Sequence, residues 1–130
     1  MAFHRFHEER PGLWALEFPD PSFDHASFDA FLNDFRDLLR RESLDGVKRI
    51  ELIVDLSNLG APPDFGYVQR LIGFLTETDK LRAERCGTTL VVAPNPTLRA
   101  LVTTVCTLQP PCTPVEIVSN RPAVRAPARR

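Results

Sequence analysis

Ile50-Glu51-Leu52-Ile53-Val54-Asp55-Leu56 runs into Ser57-Asn58-Leu59-Gly60-Ala61-Pro62-Pro63 and then Asp64-Phe65-Gly66-Tyr67. The first run places apolar residues side by side instead of at alternate positions, so both faces of the strand they form must be dry. Such a strand is expected at the centre of a largely parallel sheet. Ser, Asn, Gly and two prolines then break the run. Asp64 has the short acceptor side chain of an N-cap, and one helix is expected from it to about Arg85. Val68, Leu71, Ile72 and Leu75 would turn to the core. A buried strand, a sharp loop and a helix make the first half of a strand–helix–strand unit, which predicts an α/β fold.

The flanking segments extend this pattern. Downstream, Thr88 to Ala93 reads as another buried strand. It stops at Pro94-Asn95-Pro96, where Asn95 suits the N-cap and Pro96 the first helical position. Leu98, Leu101, Val102, Val105 and Leu108 form the stripe of that helix. Pro110, Pro111 and Pro114 end it before a last strand, Val115 to Val118. Upstream, Phe28, Phe31, Leu32, Phe35, Leu38 and Leu39 repeat at helical spacing, with Ser22 or Asp24 as cap and Gly46 beyond the Arg40-Arg41 end. Phe3 to Glu9 and Leu13 to Phe18 form a hairpin about Arg10-Pro11-Gly12, closed by Pro19 and Pro21.

The expected order is β-β-α-β-α-β-α-β, a mixed but mostly parallel sheet with its helices mainly on one face. One domain covers 1–119, and 120–130 is a Pro/Arg-rich tail too poor in apolar residues to pack. With so few helices the opposite sheet face is expected to stay partly bare. Of the 12 prolines among 130 residues, at least nine fall at turns, caps and strand ends, where they punctuate a fold, and two lie in the tail.

Composition narrows the functional classes. The formal net charge of −1 predicts no affinity of the whole chain for nucleic acid or membrane. Its halves differ: residues 1–65 carry 13 acidic and 7 basic side chains, and 66–130 carry 4 and 9. That asymmetry suits a charged contact face or head-to-tail association of copies. No apolar run reaches the length of a membrane span, no signal-peptide core follows Met1, and Cys86, Cys106 and Cys112 form no paired spacing. Together these point to a reducing cytoplasm.

His4 and His7, three apart on a strand, would point to opposite faces and share no metal. His25 is expected at the surface. No nucleophile elbow, phosphate-cradling loop or dinucleotide turn is present. The chain therefore reads as no enzyme, with no catalytic residue, no metal and no cofactor.

In this order and spacing the chain resembles the STAS domain of anti-sigma-factor antagonists, over roughly residues 3–119. Ile53-Val54-Asp55-Leu56-Ser57-Asn58-Leu59 is similar to the family's hydrophobic-Asp-Leu-Ser strand end. Pro63-Asp64-Phe65-Gly66 falls where the family commonly has Asp-Ser-Ser-Gly. Thr89 to Pro96 with Leu98-Arg99-Ala100-Leu101 resembles its penultimate strand and following helix. The resemblance implies a regulatory, signalling role, with a kinase-like switch protein, a sigma-regulating network or a larger assembly as partner. Phe65 stands where phosphorylated members have serine, so the phospho-switch does not carry over. The tail replaces the family's final helix.

The partner-binding surface is therefore expected along the strand–helix junction around residues 57–70: Ser57, Asn58, Asp64, Phe65, Tyr67 and Arg70, with Asn95 and Arg99 of the next junction beside them. Phe65 and Tyr67 would be its apolar anchors. Two other readings compete. One is a sensor of nucleotides or anions at the two helix N-termini, where ligands of open α/β sheets bind. The other is a self-assembling structural subunit.

Overall fold

A computed structural model describes residues 3–20, 24–41, 49–59 and 64–120. The alternative cap Ser22, Pro21, Gly46, Lys48, loop residues 60–63 and the tail from 121 onward lie outside the described residues. The strands are β1 (Arg5–Arg10), β2 (Leu13–Glu17), β3 (Ile50–Asp55), β4 (Cys86–Val92) and β5 (Val115–Val118). The helices are α1 (His25–Arg40), α2 (Phe65–Glu77), α3 (Asp79–Arg85) and α4 (Pro96–Leu108). The five strands form one sheet in the order β1-β2-β3-β4-β5. β1 runs antiparallel to β2, and every later pair is parallel. The fold is α/β with a mixed sheet, and β3, the strand that was apolar on both faces, occupies its centre.

Local chemistry explains the element ends. Pro11 and Gly12 connect β1 to β2, with Gly12 at φ 84°, a left-handed conformation that glycine adopts without strain. Asp24 accepts from the Ser27 amide at 2.9 Å while Ser27 Oγ accepts from the Asp24 amide at 2.9 Å, a closed capping box for α1. In β4, Gly87 and Thr88 face the single residue Glu51 of β3, so the ladder bulges. The Thr88 amide that the bulge orphans donates to Glu51 Oε1 at 2.9 Å.

The single helix expected from residue 64 to about 85 is instead two. Thr78 separates α2 from α3 with φ −99° and ψ 8°, and its buried Oγ1 donates to the Phe74 carbonyl at 2.8 Å. The hydroxyl shares the Phe74 carbonyl with the Thr78 amide, which bonds it at 2.9 Å, and the helix divides at this residue. Burial within α2 also differs from the expected stripe. Phe74 is buried, whereas Ile72, expected in the core, is only half-buried.

All four helices pack on one face of the sheet. Phe28, Phe31, Phe35 and Leu39 of α1, Phe74 of α2, Leu81 of α3 and Leu98 of α4 share a core with Leu16, Leu52 and Val91 of the strands. Phe3, Phe18, Phe28 and Phe31 form its aromatic end, with centroids 5.0 Å apart for Phe3–Phe18 and 5.4 Å for Phe18–Phe31. Rings at such separations attract beyond their burial. Leu108, expected on the inward stripe of α4, is its last residue and is 53% exposed. On the opposite face strand residues alone make a strip: Ala15, Ile53 and Val92, flanked by Leu13, Leu90 and Val118. Among the described residues no helix joins that strip.

Candidate functional site: the carboxyl ends of the parallel strands

The residues expected to form one surface fall into three groups. The first lies where β3 ends. Asp55 Oδ1 accepts from the Ser57 amide at 2.9 Å and also from the Ser57 hydroxyl, an Asx-type turn that commits that hydroxyl to the loop. Glu17 of β2 is the register partner of Asp55, and Arg5 of β1 bonds Glu17 through Nε at 3.0 Å. Arg5, Glu17, Asp55, Ser57 and Asn58, with Phe18 and Pro19, line a cleft of about 180 Å3. Its two carboxylates, Glu17 and Asp55, outnumber its one guanidinium, Arg5. Among the described residues no group of three His, Cys, Asp or Glu is placed to hold a metal ion.

Arg5 and Glu17 were missed from sequence. The tight Pro11-Gly12 turn sets Arg10 opposite Leu13, and counting outward from it pairs Arg5 with Phe18. The irregularity between Glu8 and Arg10 shifts the register by one, so Arg5 meets Glu17 instead.

The second group begins α2. Asp64 sits at the N-cap position, but its side chain makes no capping hydrogen bond, contrary to its expected role. Its backbone carbonyl accepts from Tyr67 N at 3.0 Å and Val68 N at 3.2 Å. Phe65 follows as the first helical residue and is 62% exposed.

Tyr67 and Arg70 do a different job from the one expected. Tyr67 is half-buried, stacked on His25 at 5.0 Å and edge-on to Phe28 at 5.1 Å. The Arg70 guanidinium lies 5.1 Å from the Phe28 ring centre, ion-pairs with Asp29, and stands 3.2 Å from His25 Nδ1. These two side chains fasten α2 to the first turn of α1. Tyr67 is therefore an internal anchor and not an exposed one.

The third group begins α4. Asn95 Oδ1 accepts from the Leu98 amide at 2.9 Å, with Pro96 next, an ordinary helix start. Arg99 Nη1 donates to the Ala93 carbonyl at 3.0 Å and to Ser119 Oγ at 3.3 Å, tying α4 to the ends of β4 and β5. Asn95 thus bonds within its own helix and Arg99 to the strand ends; among the described residues no hydrogen bond or ion pair links either to the Asp64–Arg70 group.

His4 Nε2 lies 2.7 Å from Asp34 of α1, and His7 Nε2 lies 3.6 Å from Glu9, so the two histidines go separate ways. Cys86 is fully buried as the first residue of β4. Burial pushes its thiol up to about 11, against an opposing pull from Arg82. Burial also raises Cys106. A protonated, buried thiol is a poor nucleophile. No helix among the described residues is long and apolar enough to cross a membrane. Comparison with protein-family models, with curated proteins and with solved structures found no match to this chain.

Proposed function

We propose that this chain is a non-catalytic, STAS-like regulatory module that binds a signalling or regulatory protein through the start of α2. The observation that carries the reading is Phe65, a large apolar side chain 62% exposed at the first position of α2. Beside it the Asp64 carboxylate makes no bond to its own helix. An apolar ring next to an uncommitted acceptor matches the way interfaces concentrate affinity, in a few anchors that bury fully against a partner pocket. The partner that fits offers an apolar socket for Phe65 and an arginine, lysine or backbone amide for Asp64. Asn58, exposed on the loop before it, extends the edge.

The competing anion-sensor reading loses its footing at both helix starts. The Asn95 side chain already takes a free amide of α4. At α2 the Asp64 carboxylate would repel an incoming phosphate. No feature of the described residues favours self-assembly over a different partner.

Affinity capture of native partners with the wild-type chain and with Phe65→Ala tests the proposal. Phe65 makes little use of the core, so its truncation leaves the fold intact and removes a partner that the wild type retains. An identical partner set for both chains contradicts the proposal. Tyr67→Ala and Arg70→Glu are poorer probes, since they also loosen the α1–α2 contact.

A further inference from the structure

The space between the sheet and its helices is not filled. A cavity of about 220 Å3 lies there, walled by Leu52, Val54 and Val91 of the sheet, Leu71 and Leu75 of α2, and Val102 of α4. Native interiors pack at crystal-like density, with few voids larger than a water molecule. An apolar void offers water no hydrogen bonds; one of about 150 Å3 stays dry and takes up benzene. Scaling from six carbons in that volume, the present cavity has room for roughly nine.

One end of the cavity is polar. Arg82, Gln109 and Thr113 line it there. The Arg82 side chain is only 11% exposed, and its donors are unequally used. Nη2 donates to the Leu75 carbonyl at 2.7 Å and Nε to Thr78 Oγ1 at 3.2 Å. Nη1 has the Cys112 sulfur at 3.5 Å, a weak acceptor. Asp79 forms an i,i+3 ion pair with Arg82 at 3.6 Å from Nη2, too long for a good hydrogen bond. A largely buried guanidinium with one donor given to a thiol is matched by a carboxylate arriving along the cavity.

We infer that this cavity binds a medium-chain carboxylic acid, its chain among the Leu and Val side chains and its head at Arg82. The connection from α4 to β5 supplies Gln109, Pro111 and Thr113 to the wall and is the irregular stretch at the polar end, so it offers the route in. The inference does not rest on the α2 edge, and Phe65 is not among the lining residues.

Octanoate, below its micellar concentration, is the probe. Calorimetric titration of the wild-type chain is expected to show one site whose heat-capacity change is negative, the mark of buried apolar surface. In the same chain, NMR is expected to show ligand contacts to the Leu71, Leu75 and Val102 methyls. Octanol, which lacks the charge, should bind about tenfold more weakly, and Arg82→Met should bring octanoate down to the octanol level while leaving octanol unchanged. Val102→Phe should abolish both, whereas Phe65→Ala should change neither.

Octanoate that leaves the wild-type cavity methyl signals unmoved overturns the site, whether or not any variant folds. Octanol binding as tightly as octanoate overturns the role of Arg82.

Discussion

Helices α2 and α4 begin in equivalent places, each just past the carboxyl end of a parallel strand, yet they are built differently. At α4 the Asn95 side chain closes on the Leu98 amide, Pro96 opens the helix, and Leu98 is completely buried. At α2 Asp64 makes no side-chain cap and Phe65 points its ring into solvent. The third helical residue, Tyr67, is half-buried against α1. One start closes its cap and buries its third residue, and the other leaves an acceptor and an aromatic ring outward. A helix start that forgoes its cap and exposes a phenylalanine gives up stability that the neighbouring start retains. That contrast is the physical argument for function at α2 and for structure alone at α4.

The contrast makes graded predictions. Leu98→Ala should cost about 3 kcal/mol, since it opens a cavity beneath α4, and should lower Tm by ~10 °C in a thermal melt. Asn95→Ala should cost about 1 kcal/mol by chemical denaturation, the usual value for a lost N-cap. Asp64→Ala, the matching change at α2, should stay within ~0.5 kcal/mol of wild type. Equal costs at Asn95 and Asp64 would erase the distinction between the two starts.

A third helix start sharpens the comparison through pH. At α1 the Ser27 amide, followed by its hydroxyl, holds the Asp24 carboxyl below its ordinary value of 3.8. Because the folded value is the lower one, the box stabilises above the unfolded value and fades as pH falls through the folded one. The stability gap between wild type and Asp24→Ala, measured by denaturant titration, should therefore be full at pH 6 and shrink in acid. Cys86 behaves in the opposite sense. Its thiol is raised from 9.0 to about 11, so the stability it contributes is complete below about pH 9 and is lost as pH rises toward 11. Cys86→Ala should flatten that alkaline loss, read from unfolding midpoints across the range.

Much of this architecture was legible in the sequence because it rests on local patterns. The adjacent apolar residues Leu52-Ile53-Val54 marked the central strand, the α1 stripe is buried at every expected position, and Pro94-Asn95-Pro96 marked the start of α4. The break at Thr78 was hidden because the stripe Val68, Leu71, Ile72 and Leu75 continues smoothly toward it. A hydroxyl that bonds back to Phe74 leaves no trace in hydropathy.

The candidate site was less legible. Phe65 and Asp64 stand out in sequence, but whether a ring faces solvent depends on how α2 meets α1. That contact is set by Tyr67, Arg70, His25 and Phe28, far apart along the chain. The cleft at Arg5 and Glu17 depended on a one-residue slip in a hairpin. The cavity depends on the spacing between two layers, which no sequence pattern records.

The most direct test places a photo-crosslinking phenylalanine analogue at position 65 in the native host, with the same analogue at position 108 as control. Both positions are exposed, so neither insertion threatens the core. The account predicts a discrete adduct with a partner protein from position 65 and none from position 108. No adduct at 65, or the same pattern from both positions, would contradict it.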